Sequence, residues 1–258
     1  MTRPPLQKTP VKPVPAATLL LVRDGPEGIE VLLTTRNDAA GFAAGATVFP
    51  GGKLDADDRE RARADGAAGD PLRIAAIRET FEECGILLAR PAADAALLSA
   101  AALAELLARQ ASVTDFGAFV GRAGLALAAD LLVPFAHWIT PADQLKRFDT
   151  HFFLAPAPAD QVALHDGHEA TIVHWLTPAG AIAAARCGEI KLVLPTRLNL
   201  LKLGRSKTVA EALDAARRSE IVTVLPDLVE TADGPAFRIP EAADYGVTEV
   251  LVSSYRRA

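Results

Sequence analysis

Arg78-Glu79-Thr80-Phe81-Glu82-Glu83-Cys84-Gly85-Ile86 is the stretch on which the fold of this 258-residue chain turns. Just upstream, Ile74 and Ile77 continue into Phe81 and Cys84 at steps of three and four, the spacing of one buried helix face. Asp70-Pro71 supplies an N-cap residue followed by proline at the first helical position, and Gly85 suits the left-handed conformation just past the end. On such a helix Glu79, Glu82 and Glu83 stand at i, i+3 and i+4, so their carboxylates share a face apart from the apolar stripe. Like charges so placed repel by about 0.2–0.5 kcal/mol per pair, and Arg78, four residues before Glu82, relieves only part of this. A divalent cation would relieve the rest, because clustered carboxylate oxygens are the hard ligands that Mg²⁺ and Mn²⁺ prefer. A solvated helix face is the ordinary explanation of a Glu-Glu pair. The surrounding pattern has to decide between the two.

Working outward, Ala16 to Arg23 and Ile29 to Arg36 read as two strands joined by the turn-forming Asp24-Gly-Pro-Glu-Gly28. Ala46 to Phe49 reads as a short third strand that Pro50-Gly51-Gly52 stops, the glycines allowing backbone to approach a ligand closely. Lys53 to Gly69 lacks apolar periodicity and reads as an exposed loop or frayed helix. Downstream, Asp94 to Gln110 is predicted helical, and Phe116 to Leu131 helical or loop-like, giving a helical segment over 93–131. Val133 to Ile139, Phe148 to Ala155 and Thr171 to Leu176 follow as strands, with a helix from Pro178 to Arg186. Beyond Lys191 two helices, Pro195 to Leu203 and Thr208 to Arg218, are expected in a helical C-terminal extension with a few extended segments. Strands before, between and after helices mean an α/β fold with a mixed sheet. A single domain over 16–258 is expected, preceded by a proline-stiffened, disordered tail over 1–15.

Half of the residues are apolar, enough for a sizeable core, and the formal charge of -5 argues against nucleic-acid and anionic-membrane partners, which need basic patches. Cys84 and Cys187 are far apart and form no disulfide framework or zinc-finger spacing, which fits a reducing, cytoplasmic setting. No apolar run reaches the roughly 18 residues that span a bilayer.

The glutamate stretch resembles the second half of the Nudix signature Gx5Ex7REUxEExGU, in which U is a bulky aliphatic residue. Thr80 stands at the first aliphatic position. Counting back from Arg78, Asp70 occupies the place of the signature's first glutamate, where it also reads as the helix N-cap, and Gly52 is the nearest signature glycine. Lys53 to Gly69 therefore looks like an insertion inside the motif. Further upstream, Leu32-Leu33-Thr34-Thr35-Arg36, Gly45 and Phe49-Pro50-Gly51-Gly52 match the spacing of LLTxR(S/A)x3Rx3Gx3FPGG, carried by coenzyme A diphosphatases. Asn37 and Gly41 depart from its letters, and Gly41 removes an arginine. Together with HWITP at 137–141 and KRFDTHFFLA at 146–155, the chain over Ala16 to Arg186 is similar to the coenzyme A and acyl-coenzyme A diphosphatase branch of Nudix hydrolases.

That resemblance implies a Nudix α/β/α sandwich and an enzyme that splits a phosphoanhydride. Glu79, Glu82 and Glu83 would bind Mg²⁺ or Mn²⁺, with Arg78 orienting a glutamate, and Glu82, Glu83, Arg78 and Glu169 form the catalytic set. Arg36, Gly51, Gly52 and Arg147 would contact substrate. The general base stays open, with Glu169, between His168 and the strand carrying Trp175, as the candidate outside the helix. His165 and His168 bracket that loop. His137, on an apolar strand, reads as a satisfied core histidine, and Lys146, Arg147 and His151 flank the next strand, where phosphate contact and solvated strand ends are both open. The substrate class is a nucleoside diphosphate derivative: coenzyme A or acyl-coenzyme A, with ADP-ribose or NADH as the rival and a non-catalytic binding module as the third reading. A homodimer is left open.

Overall fold

The computed structural model describes residues 11–37, 44–64, 69–92, 94–109, 113, 115–165 and 170–253. The expected tail over 1–15 lies outside the described residues up to position 10, and β1 already begins at Val14. β1 (Val14–Gly25) and β2 (Gly28–Arg36) form the predicted hairpin, with Gly25 opposite Gly28. β3 (Ala46–Val48) follows, and then β4 (Gly51–Lys53). Here the chain departs from expectation: Gly51-Gly52 does not stop a ladder but starts one, pairing antiparallel with Ala17 and Thr18 of β1. A side chain at position 51 would overlap the Ala17 carbonyl, so only glycine lets the two backbones lie this close.

Residues 53–69 contain a helix, α1 (Ala56–Ala64), with the Asp58 carboxylate accepting from the Asp55 amide at 2.8 Å. α2 (Pro71–Cys84) is the glutamate helix. Asp70 Oδ1 accepts from the Leu72 amide at 3.0 Å, and Gly85, at φ 69°, donates its amide to the Phe81 carbonyl. Thr80 is fully buried and its hydroxyl donates to the Ala76 carbonyl at 2.7 Å, which explains how a polar residue serves at an aliphatic position.

β5 (Ala89–Pro91), α3 (Ala100–Ala108), α4 (Phe116–Arg122) and β6 (Leu125–Leu127) come next. The helical reading of 93–131 therefore needs correcting at its end, where Leu125–Leu127 pairs with β5 as a small ribbon. β7 (Val133–Ile139), β8 (Phe148–Pro156) and β9 (Ala170–Leu176) fall close to the predicted strands, and α5 (Pro178–Arg186) matches its predicted bounds. The C-terminal part holds β10 (Lys191–Leu192), α6 (Leu194–Leu203), α7 (Val209–Arg218), β11 (Thr223–Val224) and a three-stranded sheet of β12 (Asp227–Thr231), β13 (Gly234–Arg238) and β14 (Glu249–Leu251).

Among the described residues nine strands form one mixed sheet in the order β10-β3-β2-β1-β8-β7-β11, with β4 also on β1 and β9 also on β2. β1 runs parallel to β8, while the β1–β2 and β7–β8 pairs are antiparallel. Leu19, Leu20, Leu21 and Val22 of β1 are all fully buried, as expected of a strand covered on both faces. Leu19 and Leu21 pack with Ala75, Ala76, Ile77 and Phe81 of α2 and with Phe119 of α4. Leu20 and Val22 pack with Ile182 of α5, Leu198 of α6 and Ala212 of α7. The architecture is an α/β/α sandwich. Among the described residues no helix is long and apolar enough to cross a membrane.

Candidate active site

Arg78 organises the carboxylate face of α2. Its guanidinium is 7% exposed and donates from Nε and Nη2 to the two oxygens of Asp58, each at 2.9 Å. Nη1 donates to Glu79 Oε1 at 2.9 Å and to Glu82 Oε2 at 2.8 Å, and Nη2 also reaches the Lys53 carbonyl at 3.0 Å. Burial works against the Arg78 charge, but bonded Asp58 together with Glu79 and Glu82 outweighs it and holds the guanidinium above its ordinary range. A two-pronged arginine–carboxylate pair of this kind fixes direction as well as charge. Arg78 thus ties α1, β4 and two of the three glutamates into one unit.

Asp58 is the residue that counting backward from Arg78 misses. Counted forward from Gly52 with the signature's own spacing of five, the first acidic position is Asp58, not Asp70. Nineteen residues then separate it from Arg78 in place of seven. Asp58 is almost fully buried on Arg78, whereas Asp70 caps the helix and pairs with Arg73 at 3.4 Å. The inserted residues consequently leave between Asp58 and the cap, folding partly as the rest of α1, and the arginine partner stays in place.

Glu79, Glu82 and Glu83 do project together. Glu83 is buried, with the Thr34 hydroxyl of β2 at 3.5 Å from Oε2, while Glu82 is half exposed and burial pushes its carboxyl up against the pull of Arg78. Gly52 faces this group so closely that a Cβ there would overlap the Glu79 carboxylate. The donor set suits a hard dication: three carboxylates on one helix face, with the Gly52 backbone close beside Glu79. Glu79, Glu82 and Glu83 are the residues that could hold Mg²⁺ or Mn²⁺.

These groups line a cleft of about 930 Å³. Arg36, Gly51, Gly52 and Lys53 join Arg78 and the three glutamates in lining it. The Arg36 Nε–H is buried and has no hydrogen-bond partner among the described residues, while the residue itself lines the cleft. The lining also includes apolar side chains: Trp138 and Phe152 of the sheet, Phe148 at the start of β8, and Leu194, Pro195, Pro226 and Phe237 from the C-terminal part. Trp138 Nε1 donates to the Tyr245 hydroxyl at 2.8 Å, which in turn donates to Asn199 Oδ1 at 2.7 Å, tying that part to the sheet beside the cleft. The apolar wall was not foreseen, because nothing within the segments near Pro226 and Phe237 signals what they face.

Arg147 is not brought to this cleft. Its guanidinium donates to the Thr140 and Val11 carbonyls at 2.9 and 2.7 Å and fastens the start of β1 to the β7–β8 connection. His137 and His151 lie on β7 and β8 and bond elsewhere, Lys146 is exposed, and His165 is exposed. Glu169, His168 and Gly41 lie outside the described residues.

Comparison with known proteins agrees with the fold. The family model described as the NUDT19 Nudix domain matches residues 67–203. The chain is 30% identical over 238 residues to a Gallus gallus protein named acyl-coenzyme A diphosphatase NUDT19, covering 69% of this chain and 62% of that relative. To the Homo sapiens protein of the same name it is 27% identical over 301 residues, covering 93% and 76%. A Caenorhabditis elegans relative bearing the Nudix name is 30% identical over 178 residues, and the chain spans 56% of its length. Among solved structures, a Nudix hydrolase from Alicyclobacillus acidocaldarius superposes with a TM-score of 0.65 at 29% identity, covering 79% of this chain and 96% of that one.

Proposed function

This chain belongs to the Nudix hydrolase family, and from that premise we propose that it hydrolyses the phosphoanhydride of coenzyme A or acyl-coenzyme A in a metal-dependent reaction. Water adds its oxygen to one phosphorus and the bridging oxygen leaves with the other, giving 3′,5′-ADP and (acyl)phosphopantetheine. One observation carries the substrate reading: a single cleft is lined both by charged groups and by large apolar side chains. A pyrophosphate belongs at Arg36, Gly52 and the glutamates, and a long, mostly uncharged arm belongs against Trp138, Phe152 and Phe237. Relatives named acyl-coenzyme A diphosphatase support the same reading.

Glu79, Glu82 and Glu83 would hold Mg²⁺ or Mn²⁺, and such an ion, when bound, neutralises pyrophosphate charge and acidifies a water. Arg78 keeps Glu79 and Glu82 in register by donating one hydrogen bond to each. Gly52 leaves room beside Glu79, and Arg36, which lines the same cleft, would bring positive charge to a phosphate. Glu169, which directly precedes β9 in the sequence, stays the proposed candidate outside α2 for a metal ligand or base.

The test is turnover of coenzyme A, acetyl-coenzyme A, ADP-ribose and NADH by the purified chain with Mg²⁺, with Mn²⁺ and with EDTA, products being separated chromatographically. The expected result is metal-dependent release of 3′,5′-ADP from the coenzyme A compounds, abolished by EDTA. Preferential cleavage of ADP-ribose or NADH would overturn the substrate assignment, and no metal-dependent turnover of any compound would overturn catalysis.

A further inference from the structure

A second cluster of metal-binding side chains stands on β7 and β8, on the face of the sheet against which α2 packs. β7 and β8 pair antiparallel with His137 opposite His151 and Ile139 opposite Asp149. Side chains alternate along a strand, so Asp149 and His151 share the face of Phe153, against which α2 packs, and not that of Phe148, Thr150 and Phe152; on β7 the same alternation separates His137 from Trp138. Cross-strand and diagonal neighbours on one face are within side-chain reach, and here they converge. His137 Nε2 lies 2.5 Å from Asp149 Oδ1, and His151 Nε2 lies 3.8 Å from the same oxygen. All three donor atoms fall within 4.8 Å of one another. β11 completes the surroundings: Thr223, in register with His137, places its hydroxyl 2.8 Å from His137 Nδ1.

We propose that His137, Asp149 and His151 bind a transition-metal dication of the zinc type at a site separate from the glutamate cluster. Two imidazoles and one carboxylate form a donor set that suits zinc-type ions, whereas Mg²⁺ prefers oxygen alone. Donors about 2.0–2.1 Å from a tetrahedral ion stand about 3.4 Å apart, and the two observed spacings bracket that value. At 2.5 Å, His137 Nε2 and Asp149 Oδ1 are joined through the proton of a hydrogen bond. The ion takes that proton's place, so binding releases it to solvent. Thr223 on the far nitrogen is the outer partner that a ligating imidazole ordinarily has, and it fixes which nitrogen faces the site. The two rings lie nearly parallel, with centroids 4.0 Å apart and 19° between planes, so His151 must tilt to aim its lone pair at a shared ion. Its side chain is 37% exposed, which leaves it room to do so. A fourth position remains for water.

The test uses the untagged full chain carrying Glu79→Gln and Glu82→Gln, so that the other cluster no longer competes, in excess Mg²⁺. Titration with Co²⁺ is followed by its visible absorption, and Zn²⁺ is then added. One equivalent of Co²⁺ should bind with the spectrum of a nitrogen-containing site and be displaced by Zn²⁺. Adding His151→Ala should weaken uptake at least tenfold. Thermal melting checks the fold, and Asp149→Asn provides a second arm. No Co²⁺ uptake in excess Mg²⁺, or uptake that persists in both variants, would overturn the site.

Discussion

Arg78 carries the structural argument at the scale of single residues, since one guanidinium reaches Asp58, Glu79, Glu82 and a β4 carbonyl. Removing one partner of a buried pair leaves a charge without its solvation, at a cost of about 3–5 kcal/mol. Asp58→Ala should lie at the low end, about 3 kcal/mol, because Glu79 and Glu82 remain beside Arg78. Urea unfolding measures this, and Asp58→Glu should restore most of the loss; an unchanged midpoint in Asp58→Ala would remove Asp58 from this role. Glu82→Gln and Glu83→Gln should each lower kcat by orders of magnitude in a protein that still melts cooperatively. Near-normal turnover in both would move the metal away from α2.

Helix α2 carries the argument at the scale of an element, and its two ends show how a local reading succeeds. Asp70 before proline and Gly85 after Cys84 were legible as caps because capping is a contact within four residues, and both cap as expected. Asp70→Ala should therefore cost about 1 kcal/mol of stability and leave kcat unchanged. A large kcat loss with unchanged stability would give Asp70 a role in the chemistry instead. Helix α1 is the contrary case. Residues 53–69 have no apolar periodicity to read, and the helix there is fastened by Asp58 on Arg78, twenty positions away. β4 escaped notice for a related reason: glycines signal a turn locally, and only the neighbouring β1 backbone converts them into a strand.

Across the whole molecule, the C-terminal part is both a core layer and a wall of the cleft. Leu198, Leu200 and Leu203 of α6 and Ala212 and Ala216 of α7 pack on the sheet, so a chain ending at residue 190 should lose one face of its core and fail to melt cooperatively. A soluble, cooperatively folded truncation would contradict this. Phe237→Ala separates the two roles. It should fold, keep kcat within a few-fold and raise KM for acyl-coenzyme A more than for ADP-ribose, as initial-rate kinetics would show. An equal rise for both would remove Phe237 from recognition of the arm.

What the sequence determined by itself is what rests on neighbours along the chain: the carboxylate face of α2, its caps, the β1–β2 hairpin and the alternation of β7 and β8. Helix and strand periods place such groups whatever the rest of the molecule does. Tertiary structure alone decided the rest. It chose Asp58 over Asp70 as the partner of Arg78, sent Arg147 to two backbone carbonyls, put Phe237 in the lining of the same cleft as the glutamates, and brought His137, Asp149 and His151 together. Each of these depends on strand register or on contacts between residues far apart in the chain, and periodicity within a segment carries no record of which segment will lie beside it.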